Sequence, residues 1–283
     1  MSSFGFWVLT YISLLNKLTT AESPIETPLT ENPVNWNYYN QADWPETHCI
    51  NGRRQAPIQI IESNTTPVNY EDLQFSDEFS KSYKASILNE DYTVAVILDD
   101  KSLEPQISGG GLEDSYTFIV FQFRWPSEHV VNAIRYPLEL VMIFYNSKYG
   151  SLMDAVPHED GFLNVVSFYN TSSNDNPIFD NLINSVPQVK NKLRTPVPLK
   201  DEITLADFLP KNKEKFYRYH GSVTKPYCDE IITFLVFPET SCISDTQYGA
   251  LKNIMDQQNK TVSFNNRELQ NPHDRPIYKK TKN

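Results

Sequence analysis

The stretch YTFIVFQFRWPSEHVVNAIRYPLELVMIFYN, Tyr116 to Asn146, gathers Gln122, Arg124, Glu128, His129 and Glu139 within a run of strand-like residues. Side chains two apart on a strand point to the same face, so Gln122 and Arg124 face the same way. Neither residue suits zinc. A guanidinium is permanently protonated and has no lone pair to donate, and a lone amide oxygen is a poor donor for zinc, whose usual ligands are Cys, His and carboxylate. The chain has five histidines, and only His129 falls in this stretch; His48, His158, His220 and His273 fall in predicted turns or loops, where side chains are usually exposed. Gly109-Gly110-Gly111 precedes a strand rather than a helix and carries no lysine, which reads as a turn and not a phosphate cradle.

The elements that must position these residues are mostly strands. Thr93–Leu98 is β-branched and apolar, Tyr116–Trp125 alternates, and Leu138–Tyr145 is apolar throughout except for Glu139, as in a strand buried on both faces. Gly161–Tyr169 and Ile231–Phe237 repeat the pattern. Two helices are expected. Asn176-Pro177 supplies an N-cap and a first-turn proline ahead of Phe179, Leu182, Ile183 and Val186. Ser244 to Gln247 forms a capping box ahead of Ala250, Leu251 and Ile254.

The 283 residues, 40 % hydrophobic, suit one sizeable domain, and no linker or repeat interrupts them after Trp36. A net charge of −10 and a pI near 5.0 exclude the basic face of a nucleic-acid binder. Residues 1–21 read as a signal peptide: Phe4 to Leu15 is apolar, too short to span a bilayer, and ends near the small residues Thr19-Thr20-Ala21. No second stretch could span a membrane. Residues 22–34 read as a mobile lead-in, 35–277 as the domain, and 278–283 as a solvated basic tail with Lys279, Lys280 and Lys282. Export makes Asn64, Asn170 and Asn259, each in an Asn-x-Ser/Thr tripeptide, expected N-glycosylation sites. Of three cysteines, two can pair in an oxidising compartment.

Trp36-Asn37-Tyr38, HCINGRRQAPIQI from His48, SILN from Ser86, the Tyr116–Trp125 strand, SEH from Ser127, YPLEL from Tyr136 and YRYHGSVTKPYC from Tyr217 together resemble the α-class carbonic anhydrases in order and spacing. The resemblance implies a mainly β fold with short helices, a single domain around a large twisted, mostly antiparallel sheet with a central funnel. It also implies a disulfide between Cys49 and Cys228, leaving Cys242 unpaired and buried as a small hydrophobe. In that family three histidines hold a zinc ion, which lowers the pKa of bound water to about 7 and so generates hydroxide to attack carbon dioxide. The matching positions here are Gln122, Arg124 and Val141.

Other matched positions are also altered. Val120 replaces the glutamine that orients the first histidine, Tyr92 replaces the proton-shuttle histidine, and Lys225 replaces a threonine. Thr224 and Glu128 match the pair that orients the zinc-bound hydroxide, and Glu139 matches the glutamate behind the third histidine. Two buried carboxylates need a cation, and Arg124 is expected to pair with Glu128 or Glu139 and plug the site. Alternatively, Arg124 and Lys225 could together bind a small anion such as a carboxylate. The expected function is that of a secreted pseudoenzyme with no catalytic residues and no cofactor, zinc included, that recognises an extracellular protein or a small anion. The alternatives are carbon dioxide hydration, as the family would imply, and an extracellular structural or matrix role.

Overall fold

A computed structural model describes residues 36–281 apart from 46 and 101; the expected signal peptide and lead-in lie outside the described residues. The apolar runs form strands close to where their patterns place them. We label β1 (Ala85–Asn89), β2 (Val94–Leu98), β3 (Tyr116–Arg124), β4 (Leu138–Asn146), β5 (Phe162–Ser172), β6 (Tyr217–Gly221), β7 (Ile232–Ser244) and β8 (Tyr278–Lys280). They lie side by side in the order β1-β2-β3-β4-β5-β7-β6-β8, within a sheet of 12 strands. Val197–Pro198 flanks β1 and Thr66–Val68 flanks β8. The β5–β7 pair and the pair of β8 with Thr66–Val68 are parallel, and the other neighbours on this path are antiparallel.

The two faces of the sheet bury different clusters. Along β4, Leu138, Leu140, Met142 and Phe144 enter one cluster with Phe121 and Phe123 of β3. Helix α1 (Asp180–Val189) closes that side with Leu182, Val186 and Val189. The Asn176 side chain accepts from the Ile178 N–H at the head of the 3-10 turn that leads into α1. Helix α2 (Asp245–Leu251) starts at the Ser244–Gln247 capping box and adds Leu251 to the same cluster. On the opposite face, Val141 of β4 packs with Val166, Tyr219 and Phe234. The continuous apolar character of β4 therefore follows from burial on both sides.

Gly109, Gly110 and Gly111 all have positive φ, 71°, 62° and 79°, and form the turn into β3. A Cβ at Gly109 would lie 2.4 Å from the Asp72 carbonyl oxygen, so both its conformation and its surroundings require glycine. Cys49 and Cys228 form a disulfide across a separation of 179 residues.

Three expectations are corrected. The C-terminal lysines are not simply a solvated tail: Tyr278–Lys280 is a strand held between β6 and Thr66–Val68. There Lys280 is 3 % exposed and ion-paired with Asp72, and Lys279 pairs with Glu62. Cys242 is exposed rather than buried: it sits opposite the exposed Asn170 and points away from the core that its neighbour Ile243 enters. Of the four outlying histidines, all exposed, His48 opens a short helix and His220 lies on β6, so neither is in a loop. Replacing Ser244 by alanine removes the cap of α2, and urea unfolding should register a loss of about 1 kcal/mol.

Candidate functional site

The register of β3 against β4 builds the site. Arg124 lies opposite Glu139 and Gln122 opposite Val141, and directly opposed residues on antiparallel strands share a face. These four side chains therefore stand together on the face away from α1. All are buried, with Arg124 only 4 % exposed. An unpaired guanidinium at such a position would be prohibitively costly, so its partners decide whether the site is stable.

Those partners are present. Arg124 Nε donates to Glu128 Oε2 at 3.3 Å, Nη1 to the Phe123 carbonyl at 3.1 Å, and Nη2 to Gln122 Oε1 at 3.2 Å. Gln122 in turn donates from Nε2 to Glu90 Oε2 at 2.9 Å. Glu128 Oε2 also accepts from Thr224 Oγ1 at 2.7 Å, while Oε1 accepts the Arg267 backbone N–H at 3.0 Å. Glu139 faces a different partner. Its Oε2 accepts the His129 backbone N–H at 2.9 Å and its Oε1 lies 3.1 Å from His129 Nδ1, while His129 Nε2 lies 2.6 Å from the Tyr219 hydroxyl. The two expected ion-pair partners of Arg124 are thus resolved in favour of Glu128.

Tyr92 carries the next layer. The Arg124 guanidinium lies 5.6 Å and the Lys225 ammonium 4.8 Å from its ring centroid, and Lys225 Nζ donates to its hydroxyl. Trp36 and Tyr38 pack on the same ring at 5.5 and 5.9 Å. Burial drives the Lys225 amine down to about 7; Glu90 opposes this shift and the Arg124 charge adds to it. Burial and the Glu90 charge push the Tyr92 phenol well above its ordinary range. A phenol so shifted holds its proton at neutral pH and cannot relay protons.

The arrangement has relatives. Residues 33–281 match the family model for eukaryotic-type carbonic anhydrase. The chain belongs to that family. It is 27 % identical over 254 residues to the Caenorhabditis elegans protein named "Putative carbonic anhydrase 3", covering 86 % of this chain and 96 % of that one. It is 28 % identical over 257 residues to human carbonic anhydrase 6, covering 83 % and 80 % respectively. Human carbonic anhydrase 7 is 29 % identical over 234 residues, covering 77 % and 85 %.

The carbonic anhydrase family ordinarily uses zinc, and the residues at the three matched positions do not suit it. Gln122 Oε1 already accepts from Arg124, Arg124 has no lone pair, and Val141 has no donor atom and packs among apolar side chains. Among the described residues, no group of three or more His, Cys, Asp or Glu side chains is placed to hold a metal ion. Of the expected pocket residues, the structure joins Tyr92, Gln122, Arg124, Glu128, Thr224 and Lys225 into one buried assembly. It leaves Val120 in a separate apolar cluster with Leu88, Ala95 and Ile97. Asn64, Asn170 and Asn259 are exposed and far from one another in the sequence.

Two contributors escaped the sequence reading. Glu90 lies in a polar Asn-Glu-Asp turn, where an acid ordinarily reads as solvated, yet it is 4 % exposed. The signal that could have found it is charge balance, since Arg124 and Lys225 in one buried region call for more than one carboxylate. Arg267 contributes its backbone N–H to Glu128, while its guanidinium donates to Gln55, Ala56 and Cys49 oxygens. No local pattern announces that role.

Arg124→Met alone should destabilise the fold by about 3–5 kcal/mol, because Glu128 would remain buried without its cation. The Arg124→Met/Glu128→Gln double variant should lose clearly less, and equal losses would contradict the pairing. Lys225 gives a pH test. Its folded pKa of about 7 lies below the ordinary 10.5 of the unfolded chain, so between these values the unfolded state binds the extra proton. Stability should therefore rise with pH through this window, and Lys225→Met should flatten the rise between about pH 7 and 10.5.

Proposed function

We propose that this chain is a carbonic-anhydrase-fold protein that works without catalytic zinc, as a binding or recognition module outside the cell. The observation that carries the reading is the Arg124 guanidinium on the β3 position where the family places a histidine, neutralised by Glu128 at 3.3 Å. A fixed cation there repels a divalent ion and substitutes for its charge. The shuttle position supports the same conclusion, since Tyr92 is a buried, protonated phenol. The Cys49–Cys228 disulfide fits an oxidising compartment. Among the described residues no helix is long and apolar enough to cross a membrane.

Arg124 donates to three internal partners, which favours a plugged site over the joint Arg124–Lys225 anion pocket. The second reading is carbon dioxide hydration. One observation favours it: the Thr224–Glu128 hydrogen bond at 2.7 Å, the same pair that orients hydroxide in the family. That pair acts on a metal-bound hydroxide, so without a metal it has nothing to orient.

Mass spectrometry of the purified, metal-supplemented chain should find less than one zinc per ten molecules, and stopped-flow assays should find no carbon dioxide hydration above background. Stoichiometric zinc with turnover would establish the enzymatic reading instead. The Gln122→His/Arg124→His/Val141→His variant should gain zinc, because β3 and β4 keep the required register. Hydration by that variant should stay poor, with Val120, Tyr92 and Lys225 unchanged.

A further inference from the structure

Beside Tyr92, on the side of Trp36, lies an open surface cleft lined by none of Gln122, Arg124 and Val141. Five of the residues lining it are aromatic: Trp36, Tyr38, Tyr39, Tyr92 and Phe264. Trp36 and Tyr38 meet edge to face, 5.2 Å apart at 86°, and Tyr39 and Phe264 do the same at 4.7 Å and 70°. Crossed rings present faces in different directions, the geometry that surrounds a compact cation with several π-clouds. Tyr39 is 52 % exposed and yet fixed: its hydroxyl accepts from the Ser263 N–H at 3.2 Å and donates to the Thr261 carbonyl at 3.4 Å.

The charged side chains lining the cleft are two carboxylates, Asp91 and Asp256. Both are held by backbone donors. Asp91 Oδ1 accepts the Gln257 N–H at 2.6 Å, and Asp256 Oδ1 accepts the N–H groups of Gln258 and Lys260 at 2.8 Å each. Asp91 sits at φ 77°, a left-handed conformation that a non-glycine residue adopts at some cost and that is kept here by the Gln257 contact. Burial raises the Asp91 carboxyl above its ordinary value, the Gln257 N–H and then the Arg194 charge draw it back, and the Asp256 charge adds a smaller push upward. A cation between the two carboxylates would relieve this repulsion.

We propose that this cleft binds a small organic ammonium ion of the quaternary or methylated class, with the rings of Tyr39, Phe264 and Trp36 facing the alkylated head and Asp91 and Asp256 balancing its charge. A metal ion would need several oxygen ligands at close range, which two carboxylates already engaged by backbone N–H groups do not offer. An anion would meet two negative charges and the negative faces of the rings. A neutral apolar ligand would gain nothing from the two carboxylates. The inference does not depend on the absence of zinc, because none of these side chains belongs to the matched metal positions.

Choline is the probe, titrated into the intact chain and followed by tryptophan fluorescence and by chemical-shift changes in labelled protein. Saturable binding is expected, at least about tenfold tighter than that of the neutral analogue with carbon in place of nitrogen. Tyr39→Phe keeps a ring and should retain affinity within about threefold, whereas Tyr39→Leu should lose about tenfold. Asp256→Asn keeps the backbone-accepting oxygen and removes the charge, and should weaken choline without weakening the neutral analogue. Circular dichroism on each variant separates lost binding from lost fold. Retention on phosphatidylcholine vesicles that free choline reverses would assign the ammonium to a lipid headgroup; binding of free choline without retention would assign it to a soluble ligand. Equal affinity for the neutral analogue, or no saturation at millimolar choline, overturns the proposal.

Discussion

A positive charge buried between β3 and β4 sets the terms for everything near it. Arg124 is permanently protonated and almost fully out of water, so the chain must supply compensating oxygens from several directions. It draws them from Glu128, Gln122 and the Phe123 carbonyl, and each of these engages further groups, Thr224 and Arg267 behind Glu128 and Glu90 behind Gln122. The network connects the sheet to the 224–228 loop, which the Cys49–Cys228 disulfide joins to the start of the domain. The site is thus a buried network of charges and hydrogen bonds that ties these elements together.

This accounts for Glu128, Thr224 and Glu139 standing beside side chains that are not zinc ligands. Glu128 keeps Thr224 because it still needs donors, whatever cation it balances. Glu139 keeps a role by accepting both a backbone N–H and a ring nitrogen of His129, which Tyr219 holds from the other side. A carboxylate with such partners has a reason to remain that does not involve chemistry on a substrate. The hydrogen-bonding demand of buried acids is enough to preserve them.

The aromatic layer of Trp36, Tyr38 and Tyr92 separates this charged interior from the surface cleft beyond it. On its inner side Tyr92 faces Arg124 and Lys225, two cations sharing one ring. On its outer side the same rings border the carboxylates of Asp91 and Asp256. A single wall thus presents π-faces to cations that the chain supplies and to a region whose own charges are negative.

Much was legible in the residues themselves. Strand periodicity located β2, β3, β4, β5 and β7 and cap chemistry located both helices, because these depend on local stereochemistry; the family resemblance pointed to 122, 124 and 141, none of which is a histidine. Sequence could not decide which acid would neutralise Arg124, since 128 and 139 are both within reach and only the packed geometry turns 139 toward His129. Nor could it place Glu90 inside, bring the 256–264 segment against Trp36 and Tyr39, expose Cys242, or draw Tyr278–Lys280 into the sheet. Those outcomes depend on contacts between residues far apart in the chain, which form only when the sheet closes, and no local pattern encodes them.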